Sequence, residues 1–183
     1  MSPTPPTPKP SSRIPPHSME AERGVLGSIL LDAATDNRVL DLCIESGITA
    51  DSFFSLPNRL LFETLSEMAR ASQIIDPLTL TERLRALNRL EEIGGAVAIQ
   101  TLIDETPTAA HAEYYINILR QKHLLRAVIT CARDAERRCF DEAISADLIL
   151  SEVEQKFLSI ADRRDGAGLT WPQAITNTMG HID

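Results

Sequence analysis

A seven-residue repeat of apolar side chains runs through the last third of the chain and limits that region to helical structure. Ile118, Leu125, Ala132 and Cys139 lie seven positions apart, with Val128 in an intervening position of the same stripe. This spacing predicts one long helix with a continuous apolar seam. No stretch of the sequence shows sustained two-residue alternation with β-branched enrichment, so the fold class that the sequence predicts is all-α.

A second helix of the same character is predicted after the acidic turn at residues 141–142. Ser145 can cap it, and its apolar positions follow at alternating steps of four and three residues. With the first helix, at about residues 109–140, it should form an antiparallel hairpin packed at roughly 20°. Two helices bury little alone, so the seam needs cover from the preceding helices or from a second copy. The residues expected to form this hairpin packing or self-association surface are Ile118, Leu125, Val128, Ala132, Leu150, Val153, Phe157 and Ile160.

A globule of shorter helices is predicted between residues 18 and 108. Ser18 can cap the first of them, and Pro57 fits the first turn of a later one. Asp76 followed by Pro77 is typical of a cap and first helical position, whereas Gly94 and Gly95 should break a helix. The side chains expected on the core faces are Met19, Val25, Leu26, Ile29, Leu30, Leu60, Leu61, Leu65, Met68, Leu80, Leu84 and Leu87.

The two ends of the chain differ in composition from the middle. Residues 1–17 are rich in proline and carry Lys9 and Arg13 without an acidic residue, which predicts an extended, disordered leader. Residues 163–183 begin as a polar, glycine-bearing linker and continue as an amphipathic terminal helix. That segment offers three apolar side chains for docking on another protein: Trp171, Ile175 and Met179. The predicted order is therefore leader (1–17), globule (18–108), hairpin (109–162) and linker with linker helix (163–183).

The overall charge and the length of the apolar runs exclude several classes of protein. The formal net charge is −8, which opposes indiscriminate binding to nucleic acid. A bilayer crossing needs about 20 apolar residues, and the longest apolar stretch, Val25 to Leu31, has seven and is interrupted by Gly27 and Ser28. Three cysteines without CxxC spacing suit a reducing compartment. We expect a cytoplasmic protein with no membrane partner.

No catalytic, cofactor-binding or metal-binding pattern is present in the sequence. The phosphate-binding loop GxxxxGK[ST] needs a lysine directly after glycine, and the three lysines follow Pro8, Gln121 and Gln155. The four histidines are scattered, and Cys131 and Cys139 have no ligand spacing. No nucleophile elbow occurs. We therefore predict no enzyme, no cofactor and no metal site in this chain.

One positively charged helix face is a candidate contact surface. Lys122, Arg126, Arg133 and Arg137 fall on one side of the first hairpin helix. A solvated face opposite the apolar seam is one interpretation. The other is a contact for an acidic partner or for single-stranded DNA, although no aromatic residues are interleaved for base stacking. DNA would then be touched at most indirectly.

Four stretches, taken in order, resemble one family. They are PPHSMEAERGVLGSILLD (15–32), DSFFSLPNRLLFETLSEM (51–68), IIDPLTLTERLRALNRLEEIGGAVAI (74–99) and TPTAAHAEYYINILRQKHLLRAVI (106–129). In this order they are similar to the N-terminal domain of the bacterial replicative DNA helicase DnaB. The resemblance is collinear over about four-fifths of the chain, from Pro15 to Ile160. His111 stands where the family usually has asparagine, which weakens the cap expected there.

The resemblance implies a role in DNA replication without catalysis. In the family, these domains pair through their hairpins, assemble as a trimer of dimers on the hexameric ring, and receive the C-terminal domain of primase. The terminal segment resembles the linker helix, which packs on the motor domain of a neighbouring subunit. The family's motor binds ATP and Mg through a phosphate loop that this chain lacks, so ATPase and unwinding activity are not expected of it.

Two other functions stay open at this point. The chain can be a regulator or decoy that inserts into an intact helicase ring through its hairpin and terminal helix. A weaker alternative is an unrelated helical DNA-binding protein that uses the arginine face, against which the net charge already counts. A truncated or split helicase, an excised domain and a stand-alone relative all fit a chain that stops at Asp183.

Overall fold

A computed structural model of the chain describes residues 14–33, 35, 37–141 and 143–165. Within these ranges the regular structure consists of α-helices and short 3₁₀ turns, and no strand occurs, which confirms the all-α prediction. The 3₁₀ turns are Ala50–Ser52, Glu91–Ile93 and Ala109–His111. The helices are α1 (Met19–Asp32), α2 (Arg38–Glu45), α3 (Leu56–Arg70), α4 (Pro77–Ala86), α5 (Gly95–Asp104), α6 (Ala112–Cys139) and α7 (Ala146–Asp165).

Helix boundaries follow the local signals in the sequence closely. The Ser18 hydroxyl accepts a hydrogen bond from the backbone N–H of Ala21 at the start of α1. Asp76 and Thr79 form a reciprocal capping box at the start of α4, with Pro77 in its first position. Gly94 adopts a left-handed conformation, with φ of 93°, where the chain turns into α5. These ends are fixed by neighbouring residues, so they are readable from the sequence.

The core of the globule forms around α1, which is covered along most of its length. Val25, Leu26 and Ile29 are at most 1% exposed, and they share the core with the α3 face that the sequence predicts. Two of the expected core positions differ: Met19 is exposed and Leu87 is half-buried. Met19 lies in the first turn of α1, at the edge of the globule, where its neighbours cover it only in part.

Two glycines let α1 approach its neighbours closely. A Cβ atom built on Gly27 would lie 1.9 Å from the Thr106 hydroxyl and 2.6 Å from the carbonyl oxygen of Leu102. At Gly24 it would lie 2.7 Å from the ring of Tyr115. Both distances are shorter than any van der Waals contact, so a side chain at either position would force the helices apart.

Helix α6 belongs to the globule and to the hairpin at once. Ala112, Ile116 and Leu119 in its first three turns are buried in the core of the globule. The helix then continues without a break to Cys139, for 28 residues in all. A globule ending at residue 108 and a hairpin beginning at 109 were expected. The side chains of the globule's core continue past that position, because the first turns of α6 complete the core.

The outer part of α6 pairs with α7 in an antiparallel hairpin. Asp134 on α6 accepts a hydrogen bond of 2.6 Å from Lys156 on α7, and Arg138 donates to Glu152 one turn nearer the tip. At the start of α7 the Ser145 hydroxyl accepts from the backbone N–H of Leu148 at 3.4 Å, so the expected cap is present. These contacts define which sides of α6 and α7 face each other.

The described part of the N-terminal segment packs on the globule, which corrects the expectation of an extended leader up to residue 17. The ring of His17 stacks on Phe54 with 4.4 Å between centroids, and the carbonyl of Pro16 accepts a hydrogen bond from Arg126. Proline has no backbone N–H to donate, but its carbonyl can accept a hydrogen bond, as that of Pro16 does. Residues 1–13 lie outside the described ranges.

The C-terminal expectations fall mostly beyond the described residues. Helix α7 reaches Asp165, past the position 163 at which the linker was expected to begin. The docking residues expected on the terminal segment, Trp171, Ile175 and Met179, all lie outside the described residues. Among the helices from Met19 to Asp165 that the structure describes, none is both long and apolar enough to cross a membrane.

Candidate assembly surface

The contact between α6 and α7 is made by a face different from the seven-residue seam. Cys131 and Ile149 are the most buried apolar side chains in the outer hairpin, at 6% and 8% exposure. Ala127 of α6 and Ile160 of α7 line a common cavity nearer the globule. With the Asp134–Lys156 hydrogen bond, these residues mark the facing sides of the two helices.

Much of the predicted seam lies on one flank of the hairpin. Val128 and Ala132 each follow an inward-facing residue of α6 by one position, and Leu150 and Phe157 do the same on α7. Two antiparallel right-handed helices wind in opposite senses when viewed from one end. A one-residue step from facing positions therefore turns the side chains of both helices to the same flank. We call this flank the apolar side, formed by Leu125, Val128, Ala132, Leu150 and Phe157.

The apolar side is open to solvent in the single chain. Leu125 is 46% exposed, Phe157 is 40% exposed and Leu150 is 59% exposed. Leucine and phenylalanine side chains at this exposure keep much of their apolar area in water, and burying them would stabilise a complex by about 25 cal/mol for each Å² removed. Contiguous exposed apolar patches more often belong to interaction sites than to other parts of a protein surface.

The other three seam residues lie outside this flank. Ile160 is half-buried on the side of α7 that faces α6, Val153 is half-buried beside the α6–α7 contact, and Ile118 is half-buried near the base of the hairpin. They are partly covered by their own chain and partly available. The prediction left open whether preceding helices or a second copy cover the seam, and in the single chain the globule reaches only its base.

The four basic residues expected on one face have different surroundings. Arg126 is turned to the globule, where its guanidinium donates to the carbonyl of Pro16 at 2.9 Å and to the carbonyl of Ser52. Burial lowers the pKa of Arg126, and the nearby charge of Glu22 opposes that shift. Arg126 thus ties the N-terminal segment and the turn Ala50–Ser52 to the hairpin, and its guanidinium already has partners.

The remaining basic residues are more accessible. Arg133 is exposed, and Arg137 is exposed and donates to Asp134 at 2.7 Å. Both precede inward-facing positions of α6 by one residue, so they lie on the flank opposite the apolar side. Lys122 is half-buried further toward the base. The expected basic face is thereby reduced to a few side chains around Arg133 and Arg137.

The carboxylate of Glu22 has contacts that the sequence does not predict. Glu22 lies in the first turn of α1, where an acidic side chain commonly faces the positive end of the helix dipole. Its side chain is instead fully buried and accepts hydrogen bonds from the backbone N–H groups of Phe54, at 2.7 Å, and Ser55, at 3.2 Å. It reaches across to α3, and no local pattern signals this long-range contact.

The possible metal ligands and the thiols among the described residues give two simple results. No three histidine, cysteine, aspartate or glutamate side chains of the described ranges cluster as metal ligands. The thiols of Cys43, Cys131 and Cys139 are not joined in disulfides. Burial raises the pKa of Cys43 to about 12, which keeps that thiol protonated and unreactive near neutral pH.

A cavity of about 450 Å³ lies at the base of the hairpin, between the turn Ala50–Ser52 and α6. Ile48, Leu124, Ala127 and Ile160 contribute apolar walls. Polar side chains of the loop before α3 and of α6, among them Asp51 and His123, complete the lining.

Comparison with known protein families gives a match over more than half of the chain. Residues 14–121 match the model of the DnaB-like helicase N-terminal domain. This range runs from the described N-terminal segment through the globule and into α6. It includes Glu22 and the first turns of α6 that complete the core.

Two curated relatives extend the similarity into the hairpin. The chain is 32% identical over 159 residues to the replicative DNA helicase DnaB of Treponema pallidum, which covers 87% of this chain and 35% of that protein. It is 32% identical over 174 residues to the replicative DNA helicase DnaB of Geobacillus stearothermophilus, covering 94% and 37% respectively. The chain thus spans about a third of the length of these relatives.

A solved structure has the same fold. The crystal structure of the N-terminal domain of DnaB helicase from Mycobacterium tuberculosis superposes with a TM-score of 0.69. The superposition covers 80% of this chain and 99% of that chain, at 23% sequence identity. The fold predicted from helical periodicity is thereby confirmed.

Proposed function

The chain belongs to the family of DnaB-like helicase N-terminal domains, and we propose that it acts in DNA replication as an oligomerisation module. Family membership supports a role in DNA replication, since the curated relatives are replicative helicases. The hairpin supplies the means, because its apolar side offers a surface of the kind through which helices pack. A cytoplasmic location, with the chromosome, follows from the same proposal.

The exposed apolar side of the hairpin is the observation that carries this proposal. Leu125, Leu150 and Phe157 project from two helices toward one flank and meet no other part of the described chain closely enough to be buried. A second copy can cover them with the same surface, which is the usual way in which a symmetric dimer forms. Further association of such dimers into a trimer of dimers belongs to the same proposal.

We also propose that the assembled domain receives the C-terminal domain of primase and lies beside a helicase motor domain. Support for the primase contact comes from the family resemblance, and the motor domain is suggested because the curated relatives are replicative DNA helicases. Titration of the chain with an isolated primase C-terminal domain, followed by calorimetry, tests the first contact. Heat consistent with micromolar or tighter binding would support docking, and no heat at concentrations of about 100 μM would remove primase from the proposal.

This stretch of chain is proposed to contribute no ATP hydrolysis of its own. None of its three lysines follows glycine, so the phosphate-binding loop that would hold ATP and Mg cannot form from these residues. In this proposal, nucleotide chemistry belongs to a motor domain with which the chain associates.

Analytical ultracentrifugation of matched variants tests the oligomerisation module. Leu125→Asp and Phe157→Asp each place a carboxylate on the apolar side, and we expect either change to weaken association at least roughly tenfold, since burying an unpaired charge costs several kcal/mol. The control is Leu148→Asp. Leu148 is 50% exposed but precedes an inward-facing residue, so it lies on the opposite flank.

Two results would contradict the proposal. One is a strictly monomeric chain at tens of micromolar. The other is equal association of all three variants and the unmodified chain. Because the substituted leucines and phenylalanine are exposed in the single chain, the melting temperature of the monomer should change little, which separates lost association from lost folding.

A further inference from the structure

We propose that a groove at the base of the hairpin is a binding site for the terminal segment of the same chain, with Trp171 as its anchor. The terminal segment is residues 170–179, which lie outside the described ranges. The groove consists of the cavity of about 450 Å³ and a second cavity of about 770 Å³. The two cavities share four lining residues, which are Asp51, His123, Ala127 and Ile160.

The groove follows α6 and opens on the flank opposite the apolar side. Its lining on α6 extends from Arg120 to Asp134, a length of about 21 Å at the rise of an α-helix. Arg126 and Thr130 line the outer part, and each precedes an inward-facing residue of α6 by one position. An occupant of the groove therefore leaves Leu125 and the rest of the apolar side uncovered.

The walls of the groove near the globule are apolar, and the described chain covers them only in part. Ile48, Leu124, Ala127 and Ile160 line the first cavity, and the last three of these are half-buried. Its volume is within the range of protein cavities that bind small organic ligands, so an indole ring fits. Filling it with an indole would remove apolar area from water on both surfaces.

The sequence of the terminal segment matches the groove in spacing and in charge. Trp171, Ile175 and Met179 recur every four residues, which places them on one face of a helical stretch about 12 Å long. This stripe is shorter than the groove, so Ile175 and Met179 can extend along the second cavity while Trp171 fills the first. Residues 170–179 carry no charged side chain, so burying them leaves no unpaired charge.

The end of α7 lies beside the groove and so brings the terminal segment close to it. Ile160 lines both cavities, and the last described residue, Asp165, follows about 7.5 Å further along α7. The six residue steps from Asp165 to Trp171 span up to about 20 Å. Gly166 and Gly168 within them admit the positive φ values that a reversal of direction needs. Trp171 can therefore reach the first cavity.

The short connection favours the chain's own segment over a separate partner. A short flexible linker holds its end at an effective concentration of about 1 mM, so a contact with a Kd of about 0.3 mM between separate molecules is about three-quarters occupied within one chain. A separate partner would have to reach the same concentration in solution. A docked Trp171 is also withheld from a helicase motor domain, and this consequence alone rests on the proposed function.

Fluorescence of the full chain tests the docking directly, because Trp171 is its only tryptophan. We expect blue-shifted emission and weak quenching by acrylamide, both independent of protein concentration. Ala127→Glu places a charge in the wall of the groove and should increase acrylamide quenching about three- to fivefold as the docked fraction falls. Ala132→Glu is the matched control, since it lies on the apolar side of the same helix and should leave the emission of Trp171 unchanged.

Three results would overturn the inference. One is emission typical of a solvent-exposed indole in the unmodified chain, and another is equal quenching in the two variants. The third is emission that moves to longer wavelength on dilution, which would place the segment in the groove of another copy. None of these results bears on the proposed pairing, because sedimentation of Leu125→Asp and Phe157→Asp reports that separately.

Disulfide trapping uses exposed positions of α6, so it tests the groove even if Ala127→Glu does not fold. Thr130→Cys in the groove is combined with Ala174→Cys in the terminal segment, in a chain that also carries Cys139→Ser. Oxidised glutathione should join the two thiols within one chain, identified by mass spectrometry of the linked peptides. Ala132→Cys with Ala174→Cys, on the other flank, should stay unlinked. Equal trapping at the two positions, or trapping only between chains, would contradict the site.

Discussion

The carboxylate of Glu22 accepts a hydrogen bond of 2.9 Å from the side-chain amide of Asn58, which lies 36 positions further along the chain. The same carboxylate accepts the backbone N–H groups of Phe54 and Ser55 at the entrance to α3. Ser55 makes no side-chain cap of its own. Glu22 therefore holds the two residues that lead into α3, and through Asn58 it couples α1 to the first turn of α3.

Removal of this carboxylate should destabilise the whole globule. We expect Glu22→Ala to lower the free energy of unfolding by about 3 kcal/mol, because one buried and two part-buried donors would lose their acceptor. Glu20→Ala is the control, since Glu20 is an exposed carboxylate in the same first turn of α1. It should cost less than about 1 kcal/mol. Equal losses in urea titrations of the two variants would show that the contacts of Glu22 with α3 contribute nothing.

Arg126 should matter more for stability than the exposed arginines on its helix. Arg126→Ala removes the donors to the carbonyls of Pro16 and Ser52 and should cost about 2 kcal/mol in chemical unfolding. Arg133→Ala, at an exposed position, should stay within about 0.5 kcal/mol of the unmodified chain. If both variants unfolded at the same urea concentration, the attachment of the N-terminal segment to the hairpin would be energetically irrelevant.

Gly27 should tolerate no side chain. Gly27→Ala places a methyl group against the Thr106 hydroxyl and the Leu102 carbonyl, and we expect a loss of about 3 kcal/mol because backbone must move to relieve the contact. Thermal unfolding measures the effect. Ser28→Ala in the same helix is the comparison: the Ser28 hydroxyl is buried without a hydrogen-bond partner, so its removal should be nearly neutral or stabilising. A neutral Gly27→Ala would refute the close approach of α1 to residues 102–106.

The hairpin should respond to acid through Asp134. Hydrogen bonds from Lys156 and Arg137 lower the pKa of Asp134 from 3.8 to about 2. A carboxyl group whose pKa is lower in the folded state stabilises that state above about pH 4, and this contribution disappears as the pH falls toward 2. Carboxyl NMR titration of Asp134 measures the pKa directly.

Substitution of Lys156 should return the pKa of Asp134 toward its ordinary value. Lys156→Ala should raise the pKa of Asp134 toward 3.8, whereas Arg133→Ala, which removes a neighbouring charge that does not bond to Asp134, should leave it near 2. An unchanged titration in the Lys156 variant would mean that the α6–α7 hydrogen bond does not form in solution.

The parts of the fold that the sequence predicted are those decided by near neighbours. Ser18, Asp76 and Gly94 act on residues within one or two turns, so cap and break signals placed the helix ends. The role of Glu22 escaped prediction because its partners are more than 30 positions away. Arg126 was placed on a shared basic face for the same reason, since helical spacing cannot show that a distant turn will cover one member of the face.

The sequence predicted which residues share the seam of the hairpin, but not which surface packs against them. Seven-residue spacing showed that Leu125 and Ala132 share a flank with one another. It did not show that the contact within the chain would be made by the residues one position earlier, Cys131 before Ala132 on α6 and Ile149 before Leu150 on α7. The outcome depends on how α7 lies on α6, and the α6–α7 hydrogen bonds of Asp134 and Arg138 help to set that arrangement.

Because α6 runs without a break from the core of the globule to the tip of the hairpin, a rotation of its first turns moves the whole hairpin. About 30 Å of helix separates Leu119, where α6 leaves the globule, from the tip. A tilt of roughly 10° at the base would therefore move the tip by about 5 Å. Any partner that binds the hairpin is consequently connected through α6 to α1 and to the turn Ala50–Ser52, and a displacement at the tip is transmitted to the core because α6 has no break along its length.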